Sequence, residues 1–281
     1  MIPPVEGDSG TGPVLVTGAS GTLGGPLVGK LIAAGLEVRA LSRRPARRAA
    51  DVTWCTGDLK TGEGLDSALS GVRRVVHCAS SQRGDPGAAK NLIDAMARSG
   101  PLDLVYISIV GVDRIPIGYY ELKLETERLI TSSDRRSTIL RTTQFHNLMV
   151  RGCKALSSLP VFLVPSGVSF QPIDVGEVAD RLVELTTGEA GKGRVDDMGG
   201  PEVRSSADLA RAYLSHCGRR RPVVGIRLPG RAFSALRNGF NCVPGNARGR
   251  KTFDEFLREQ SEQSEQSEQS EQSGQFRRSG S

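Results

Sequence analysis

A short apolar run that leads directly into a spaced set of glycines, near the start of the chain, constrains the fold more than any other feature. Residues 14–17 read Val-Leu-Val-Thr, and Gly18, Gly21 and Gly24 follow with the spacing G-x-x-G-x-x-G. This pattern is typical of a buried strand that turns into a helix. The first glycine permits a sharp turn, the second lets a pyrophosphate approach the backbone, and the third lets the helix pack closely on the strand.

The start of that helix is suited to bind an anion. Its first N–H groups have no partner within the helix, and the positive end of the helix dipole faces the same way. Ser20 and Thr22 add hydroxyl groups. The alternative is a glycine-rich surface turn that binds nothing. We predict a dinucleotide-binding loop formed by Gly18, Ser20, Gly21, Thr22, Leu23 and Gly24.

Alternating strands and helices continue along most of the chain. The spacing of apolar residues predicts strands over 36–41, 52–56, 74–80, 102–108 and 137–143, and helices over 23–34, 64–70, 86–99 and from 119 onwards. Repeated strand–helix–strand order implies a parallel sheet with helices on both faces and with ligands at the carboxyl ends of the strands. The predicted fold class is α/β, a Rossmann-type doubly wound parallel sheet with a small C-terminal substrate lobe.

The end of the second strand bears on which dinucleotide binds. In a dinucleotide fold an acid at this position accepts hydrogen bonds from the two ribose hydroxyls of NAD. This chain has Ser42, Arg43 and Arg44 here, and no carboxylate between Glu37 and Asp51. A guanidinium binds a 2′-phosphate through charge-assisted hydrogen bonds, whereas an acid repels it. We therefore predict NADP(H) in preference to NAD(H), the alternative being an ordinary solvated loop.

The ends of the third and fourth strands supply further predicted contacts. Asp58 is expected to accept a hydrogen bond from the adenine amino group, with Leu59 as an apolar edge. Ala79 and Ser80 give the fourth strand a small-residue exit, where bulky side chains would collide with the cofactor. His77 precedes that exit, so we interpret it as a strand histidine and not as a base.

Candidate catalytic groups follow the fifth strand. Ser108 leaves that strand at the carboxyl edge, and Tyr119 and Lys123 stand four residues apart at the start of the next helix, on one helical face. A neighbouring ammonium favours the phenolate, so Tyr119 is suited to transfer the proton that accompanies hydride transfer. Ser108 would bond the same carbonyl oxygen, and Lys123 would also hold the nicotinamide ribose. An ordinary surface helix is the alternative.

These residues together resemble the atypical short-chain dehydrogenase/reductases, specifically the NmrA-like NAD(P)-binding proteins. The resemblance runs from about Pro13 to Leu257 and includes the segment Phe170–Val175. It implies a Rossmann domain, an NAD(P) cofactor and either a reductase or a redox sensor that binds the cofactor without turnover. Helix-pair homodimers are common in the superfamily. The interval between Ser108 and Tyr119 is shorter than usual, and the presence of the tyrosine, which many members lack, favours an enzyme.

The sixth strand is followed by two residues that we predict to line the substrate pocket, Phe145 and His146. They fall at the carboxyl edge of the sheet, near the expected nicotinamide. As structural residues that open a helix they are equally well explained. Asp174, before the next helix, is better explained as an N-cap than as a catalyst.

Composition excludes several other classes. No signal peptide, transit peptide or membrane-spanning run is apparent, which predicts a cytoplasmic protein without membrane contact. The odd number of cysteines, five, and the lack of a C-x-x-C pair argue against disulfides, a redox dithiol and a metal site. The net charge of +6 comes from dispersed arginines, so we expect no nucleic-acid partner.

The predicted organisation is a disordered leader (1–12), an NAD(P)-binding Rossmann domain (13–160), the remaining strands with the substrate lobe (161–258) and a disordered Glu-Gln-Ser repeat tail (259–281). The predicted function is an NADPH-dependent oxidoreductase that reduces a small carbonyl or quinone-like acceptor by direct hydride transfer. The alternatives are a non-catalytic NAD(P)H-binding redox sensor, and an epimerase or dehydratase that retains its cofactor.

Overall fold

A computed structural model of the chain describes residues 12–44, 52–80, 85–157, 160–189, 191 and 193–263. It confirms the α/β fold class. The helices and strands begin and end within a few residues of the predicted positions. In chain order they are β1 (Val14–Thr17), α1 (Gly24–Ala33), β2 (Val38–Ser42), β3 (Thr53–Thr56), α2 (Leu65–Leu69), β4 (Arg74–His77), α3 (Asp85–Arg98), β5 (Asp103–Ile109), α4 (Gly118–Ser132), β6 (Ser137–Thr142), α5 (His146–Leu156), β7 (Phe162–Pro165), β8 (Ser169–Phe170), α6 (Val175–Thr187), β9 (Gly193–Arg194), β10 (Arg204–Ser205), α7 (Ser206–His216), β11 (Val223–Ile226), α8 (Arg231–Arg237), a 3₁₀ turn (Pro244–Asn246) and α9 (253–263).

Two compact units make up the chain, and they interleave in sequence. The sheet unit holds the chain up to Thr142 together with Val175–Met198, and the lobe unit holds Thr143–Asp174 and the chain from Gly199. The sequence predicts one boundary at residue 160. In the structure the chain returns to the sheet unit because α6 packs against α1, where Lys30 Nζ lies 2.6 Å from Asp180 Oδ1.

The sheet unit is built on a seven-stranded parallel sheet with the order β3-β2-β1-β4-β5-β6-β9. β1 lies between β2 and β4, and Thr17 pairs in register with Leu41 of β2 and with His77 of β4. The chain runs outward from β1 to β3 and then crosses to the other side of β1. This reversal leaves the carboxyl ends of β1 and β4 side by side, which is where open α/β sheets bind their ligands.

The core of the sheet unit covers both faces of β1 and β4. All residues of β1 and β4 are buried, as expected for a parallel sheet covered on both faces. Leu15, Val75 and Leu104 contribute to one buried cluster with Met96 of α3 and Ile130 of α4. Within the part of the chain that the structure describes, no helix is both long and apolar enough to cross a membrane.

The lobe unit has its own core, in which Phe162, Leu209, Phe253 and Leu257 are buried. β7 and β11 pair in parallel, and β8 and β10 pair antiparallel. The short strands β8, β9 and β10 were not predicted because each has two residues, too few to show a period.

Helix α9 corrects the prediction that a disordered tail begins at Glu259, since 259–263 are helical. Phe253 and Leu257 anchor the helix in the core, and Glu and Gln are good helix formers. Lys251 Nζ donates to Glu259 at 2.7 Å, and the Ser261 hydroxyl lies 3.3 Å from His216 Nε2. The rest of the predicted tail (264–281) and nearly all of the predicted leader (1–11) lie outside the described residues.

Candidate cofactor and active site

The glycine turn after β1 has a conformation that only glycine satisfies at two positions. Gly18 has a φ of +68°, and a Cβ there would lie 2.6 Å from the backbone nitrogen of Ala79. A Cβ on Gly24 would lie 2.1 Å from the Gly18 carbonyl oxygen. The Gly21 N–H donates to that same oxygen at 2.9 Å. The turn therefore brings the first residues of α1, the end of β1 and the exit of β4 into direct backbone contact.

The start of α1 is partly satisfied by its own turn, since the Gly25 N–H donates to the Gly21 carbonyl oxygen at 3.1 Å and Pro26 has no N–H. Leu23, at the N-cap position, makes no side-chain capping hydrogen bond, and the first turn contains no acidic residue. Ser20, Gly21 and Thr22 are exposed, whereas Leu23 is buried and anchors the turn. Unsatisfied N–H groups and the positive dipole end are the features that bind phosphate at a helix start.

The end of β2 carries the predicted phosphate-binding arginines on the surface. Arg43 and Arg44 are exposed, and the Arg44 N–H donates to the half-buried Ser42 hydroxyl at 3.3 Å. Among the described residues no carboxylate pairs with either guanidinium. β2 is the direct neighbour of β1, so these arginines follow a strand beside the glycine turn. Arg47 and Arg48, which follow closely in the sequence, lie outside the described residues.

Asp58 and Leu59 form a tight turn after β3. One carboxylate oxygen of Asp58 accepts from the Lys60 N–H at 2.8 Å, so the side chain already organises its own loop. Leu59 packs against the sheet-unit core, and its carbonyl accepts from Asn91 at 2.9 Å. The turn is thus held from both sides, with Asp58 half-buried.

A hydrogen-bonded chain joins the ends of β1 and β4. The Ala79 N–H lies 3.4 Å from the Thr17 hydroxyl, which lies 2.7 Å from His77 Nδ1. Burial, with the nearby charge of Lys123 as a second cause, lowers the His77 pKa from 6.5 to about 3. His77 is therefore neutral at physiological pH. Its ring supports the end of β1 through the Thr17 hydroxyl, which agrees with its interpretation as a strand histidine.

Tyr119 reaches the exit of β4. Its hydroxyl hydrogen-bonds the Ser80 hydroxyl, and Ser80 is exposed while Tyr119 is half-buried. Ser80 follows Ala79, whose backbone faces Gly18. A continuous path of contacts therefore leads from the glycine turn to the tyrosine hydroxyl.

Lys123 and Ser108 lie deeper than the sequence indicates. Lys123 is 3% exposed; its Nζ donates to the Ile107 carbonyl at 3.2 Å and stands 4.7 Å from the centre of the Tyr106 ring. Ser108 is 2% exposed, and its hydroxyl has no hydrogen-bond partner among the described residues. Burial raises the pKa of the neighbouring Cys78 thiol to about 12 although the charge of Lys123 opposes it.

Three residues that were not proposed as site residues support this edge of the sheet: Thr17, His77 and Tyr106. The His77 and Tyr106 rings stack with centres 5.4 Å apart, and Tyr106 also underlies Lys123. The signal available in the sequence is the strand alternation that puts Tyr106 and Ser108 on the same face of β5. A polar or aromatic side chain two residues before a predicted catalytic residue is thus a candidate for its support.

Phe145 and His146 belong to the lobe unit. The His146 ring is fully buried, with ring centres 5.0 Å from Phe256 and 5.7 Å from Phe253, and Nε2 lies 3.0 Å from the Lys251 carbonyl oxygen. Burial lowers its pKa below the ordinary value. These contacts favour the structural alternative for His146, while Phe145 is half-buried just before α5.

Comparisons with known proteins agree with this geometry. A family model described as NAD(P)H-binding matches residues 18–211. Quinone oxidoreductase 2 of Escherichia coli (strain K12) is 26% identical over 219 residues, which are 74% of this chain and 75% of that protein. Photosystem II assembly factor Ycf39 of Cyanophora paradoxa is 25% identical over 264 residues, 87% of this chain and 81% of that protein. The crystal structure of an NADPH-dependent quinone oxidoreductase of E. coli complexed with NADPH has a TM-score of 0.75 at 21% identity, covering 88% of this chain and 99% of that chain.

Proposed function

Because the chain belongs to the NAD(P)H-binding family, we propose that it is an NADPH-dependent oxidoreductase that reduces a small carbonyl or quinone-like acceptor by direct hydride transfer. The observation that carries this proposal is the path from the glycine turn to the tyrosine: Gly18 faces Ala79, and the adjoining Ser80 bonds the Tyr119 hydroxyl. A proton donor beside a nucleotide-binding turn is the arrangement that carbonyl reduction requires. The named activity of Quinone oxidoreductase 2 supports the same class of acceptor.

The residues present fit the cofactor. The glycine turn and the start of α1, which no side chain caps, would hold the diphosphate, and the exposed Arg43 and Arg44 would hold a 2′-phosphate. When bound, the nicotinamide supplies the hydride. Asp58 and Leu59 would flank the adenine.

The protein would supply the proton that accompanies hydride transfer. Tyr119 would donate it to the acceptor oxygen, with Ser80 as the hydrogen-bond partner that orients the phenol. Ser108 would offer its hydroxyl to the same oxygen, and a buried Lys123 ammonium would favour the negative charge that develops there. For this reaction the acceptor must contact both the half-buried Tyr119 and the buried end of β5.

Turnover with substituted residues tests the proposal. NADPH oxidation across a panel of quinones and carbonyls is measured for the native chain, Tyr119→Phe and Lys123→Ala. Loss of a general acid is expected to lower kcat by about 10²–10⁴-fold. Tyr120→Phe is the matched control, because Tyr120 is the adjacent buried tyrosine and has no proposed role. Equal rates for Tyr119→Phe and the native chain would exclude Tyr119 as the acid.

A non-catalytic redox sensor is the second candidate. The burial of Lys123 and Ser108 favours it, since both groups are turned away from bulk solvent. The name of the Cyanophora relative, an assembly factor, points the same way. Tight NADPH binding without oxidation of any acceptor would support the sensor and refute the enzyme. Product formation without net loss of NADPH would indicate an epimerase or dehydratase instead.

A further inference from the structure

Arg141 is a buried side chain that joins three segments of the sheet unit. It lies in β6, where it is the register partner of Ser108 in β5. Its Nε donates to Glu127 Oε1 at 2.9 Å and its Nη2 to Glu127 Oε2 at 2.6 Å, while Nη1 lies 3.0 Å from Asp113 Oδ2. All three guanidinium nitrogens are therefore engaged by carboxylates. Burial acts to lower the Arg141 pKa, but these two partners outweigh it and raise the pKa above its ordinary value.

The partners of Arg141 lie in α4 and in the segment that leads into it. Glu127 is in α4, and Asp113 is in the connection that leads from β5 into α4. Tyr119, Lys123 and Glu127 are spaced by four residues and so share one face of that helix. A bidentate bond at Glu127 fixes the rotation of the helix about its axis, and the bond at Asp113 fixes its entry. Together these bonds would fix the position of Lys123 relative to the Ile107 carbonyl and the Tyr106 ring.

A second buried arginine in the same unit provides a comparison. Arg74 Nη2 donates to Asp103 at 2.9 Å, and its Nη1 donates to the Gly188 carbonyl at 2.9 Å, after the end of α6. The Arg74 and Arg141 side chains are 3% and 6% exposed. Arg74 and Asp103, however, begin β4 and β5, at the amino ends of the strands, and the partners of Arg74 include no residue of α4.

We propose that Arg141 is a positioning residue, which holds α4 through Glu127 and Asp113 so that Lys123 and Tyr119 keep the placement that turnover requires. This inference rests on the proposed oxidoreductase function. The paired hydrogen bonds to Glu127 depend on the planar fork of a guanidinium, which a lysine lacks. Arg141→Lys therefore keeps the charge and loses the geometry.

Kinetics is the first measurement. A misplacement of about 1 Å costs about 10²-fold in rate, so Arg141→Lys is expected to lower kcat by about that factor. The Kd for NADPH should change by less, because the glycine turn, which Arg141 does not contact, holds the diphosphate. Glu127→Gln should lower kcat in the same direction, since it weakens the same anchor. Arg74→Lys is the matched control: it should lower thermal stability and leave kcat per folded molecule unchanged. An unchanged kcat in Arg141→Lys would overturn the proposal.

Lysine acylation under native conditions is the second measurement, and it needs no turnover. A small acylating reagent is applied, and each lysine is quantified by mass spectrometry, with the exposed Lys90 as internal reference because its side chain is 65% exposed. Arg141→Lys should raise the Lys123 to Lys90 labelling ratio several-fold, whereas Arg74→Lys should not. An equal rise in both variants would indicate general loosening and overturn the proposal, as would no rise in Arg141→Lys.

A second variant tests the same anchor if the first does not fold. If Arg141→Lys does not fold, the double variant Arg141→Met with Glu127→Met removes both charges together, which buried ion pairs tolerate better than loss of one partner. It should raise Lys123 labelling as well. If the native chain binds NADPH but reduces no acceptor, the proposed function fails on its own, and the labelling ratio alone decides whether Arg141 places Lys123.

Discussion

Replacing Gly24 with alanine should separate the nucleotide-binding turn from the rest of the fold. The new Cβ would lie 2.1 Å from the Gly18 carbonyl oxygen, more than 1 Å short of the 3.4 Å at which ordinary contact begins. The neighbouring atoms are backbone, so no side chain can swing away to make room. The start of α1 must then move away from β1 by roughly 1 Å, and its N–H groups move with it.

The expected loss of affinity follows from that displacement. A hydrogen bond to a charged group contributes about 1.5–3 kcal/mol, so losing one phosphate contact should raise Kd for NADPH by roughly 10- to 100-fold. Kd is measured by titration calorimetry on the folded variant, and stability by urea unfolding. Wild-type affinity in Gly24→Ala would refute the reasoning.

Gly29→Ala is the matched control. Gly29 lies in the interior of the same helix, and a Cβ there meets no atom within 4 Å. Alanine is a better helix former than glycine, so this variant should gain about 0.5–1 kcal/mol of stability and bind NADPH normally. A loss of NADPH affinity in Gly29→Ala as large as that in Gly24→Ala would mean that any methyl group in α1 disturbs binding.

Three further predictions concern charge. Arg43→Ala combined with Arg44→Ala should weaken NADPH binding roughly tenfold, because one charge-assisted hydrogen bond contributes about 1.5 kcal/mol, and should leave NADH binding unchanged in parallel titrations; an equal loss for both cofactors would contradict a 2′-phosphate site. Arg74→Met should destabilise the fold by about 3–5 kcal/mol in urea unfolding, since it removes one partner of a buried ion pair; a loss below about 1 kcal/mol would show that the pair is not needed. Burial and Lys123 lower the His77 pKa from 6.5 to about 3, so below pH 6.5 the unfolded chain binds a proton that the folded chain does not. Stability should fall by about 1.4 kcal/mol per pH unit there, or about 2 kcal/mol at pH 5, and His77→Gln should lack this component when unfolding is compared at pH 7 and pH 5.

Local patterns were sufficient to predict the sheet and the turn. The alternation of apolar runs with turn residues marked the main strands, because a strand or helix repeats over a few residues and its signal is contained in them. The glycine spacing predicted a turn in which Gly18 and Gly24 accept no side chain, because that requirement follows from backbone sterics. The fold class was predictable from these local patterns, and the family from the resemblance that the motifs carry.

Packing between distant segments could not be predicted from the sequence. Lys123 and Tyr119 share a helical face in sequence, but the depth of Lys123 depends on Tyr106 and Ile107, which precede it by 16 residues or more. The helical start of the repeat at 259–263 likewise follows Phe253 and Leu257, which pack in the lobe core against residues as distant in sequence as Phe162. Hydrogen bonds, stacking and burial join residues whose neighbours in sequence carry no mark of the contact, so these features of the site emerge only when the chain is packed.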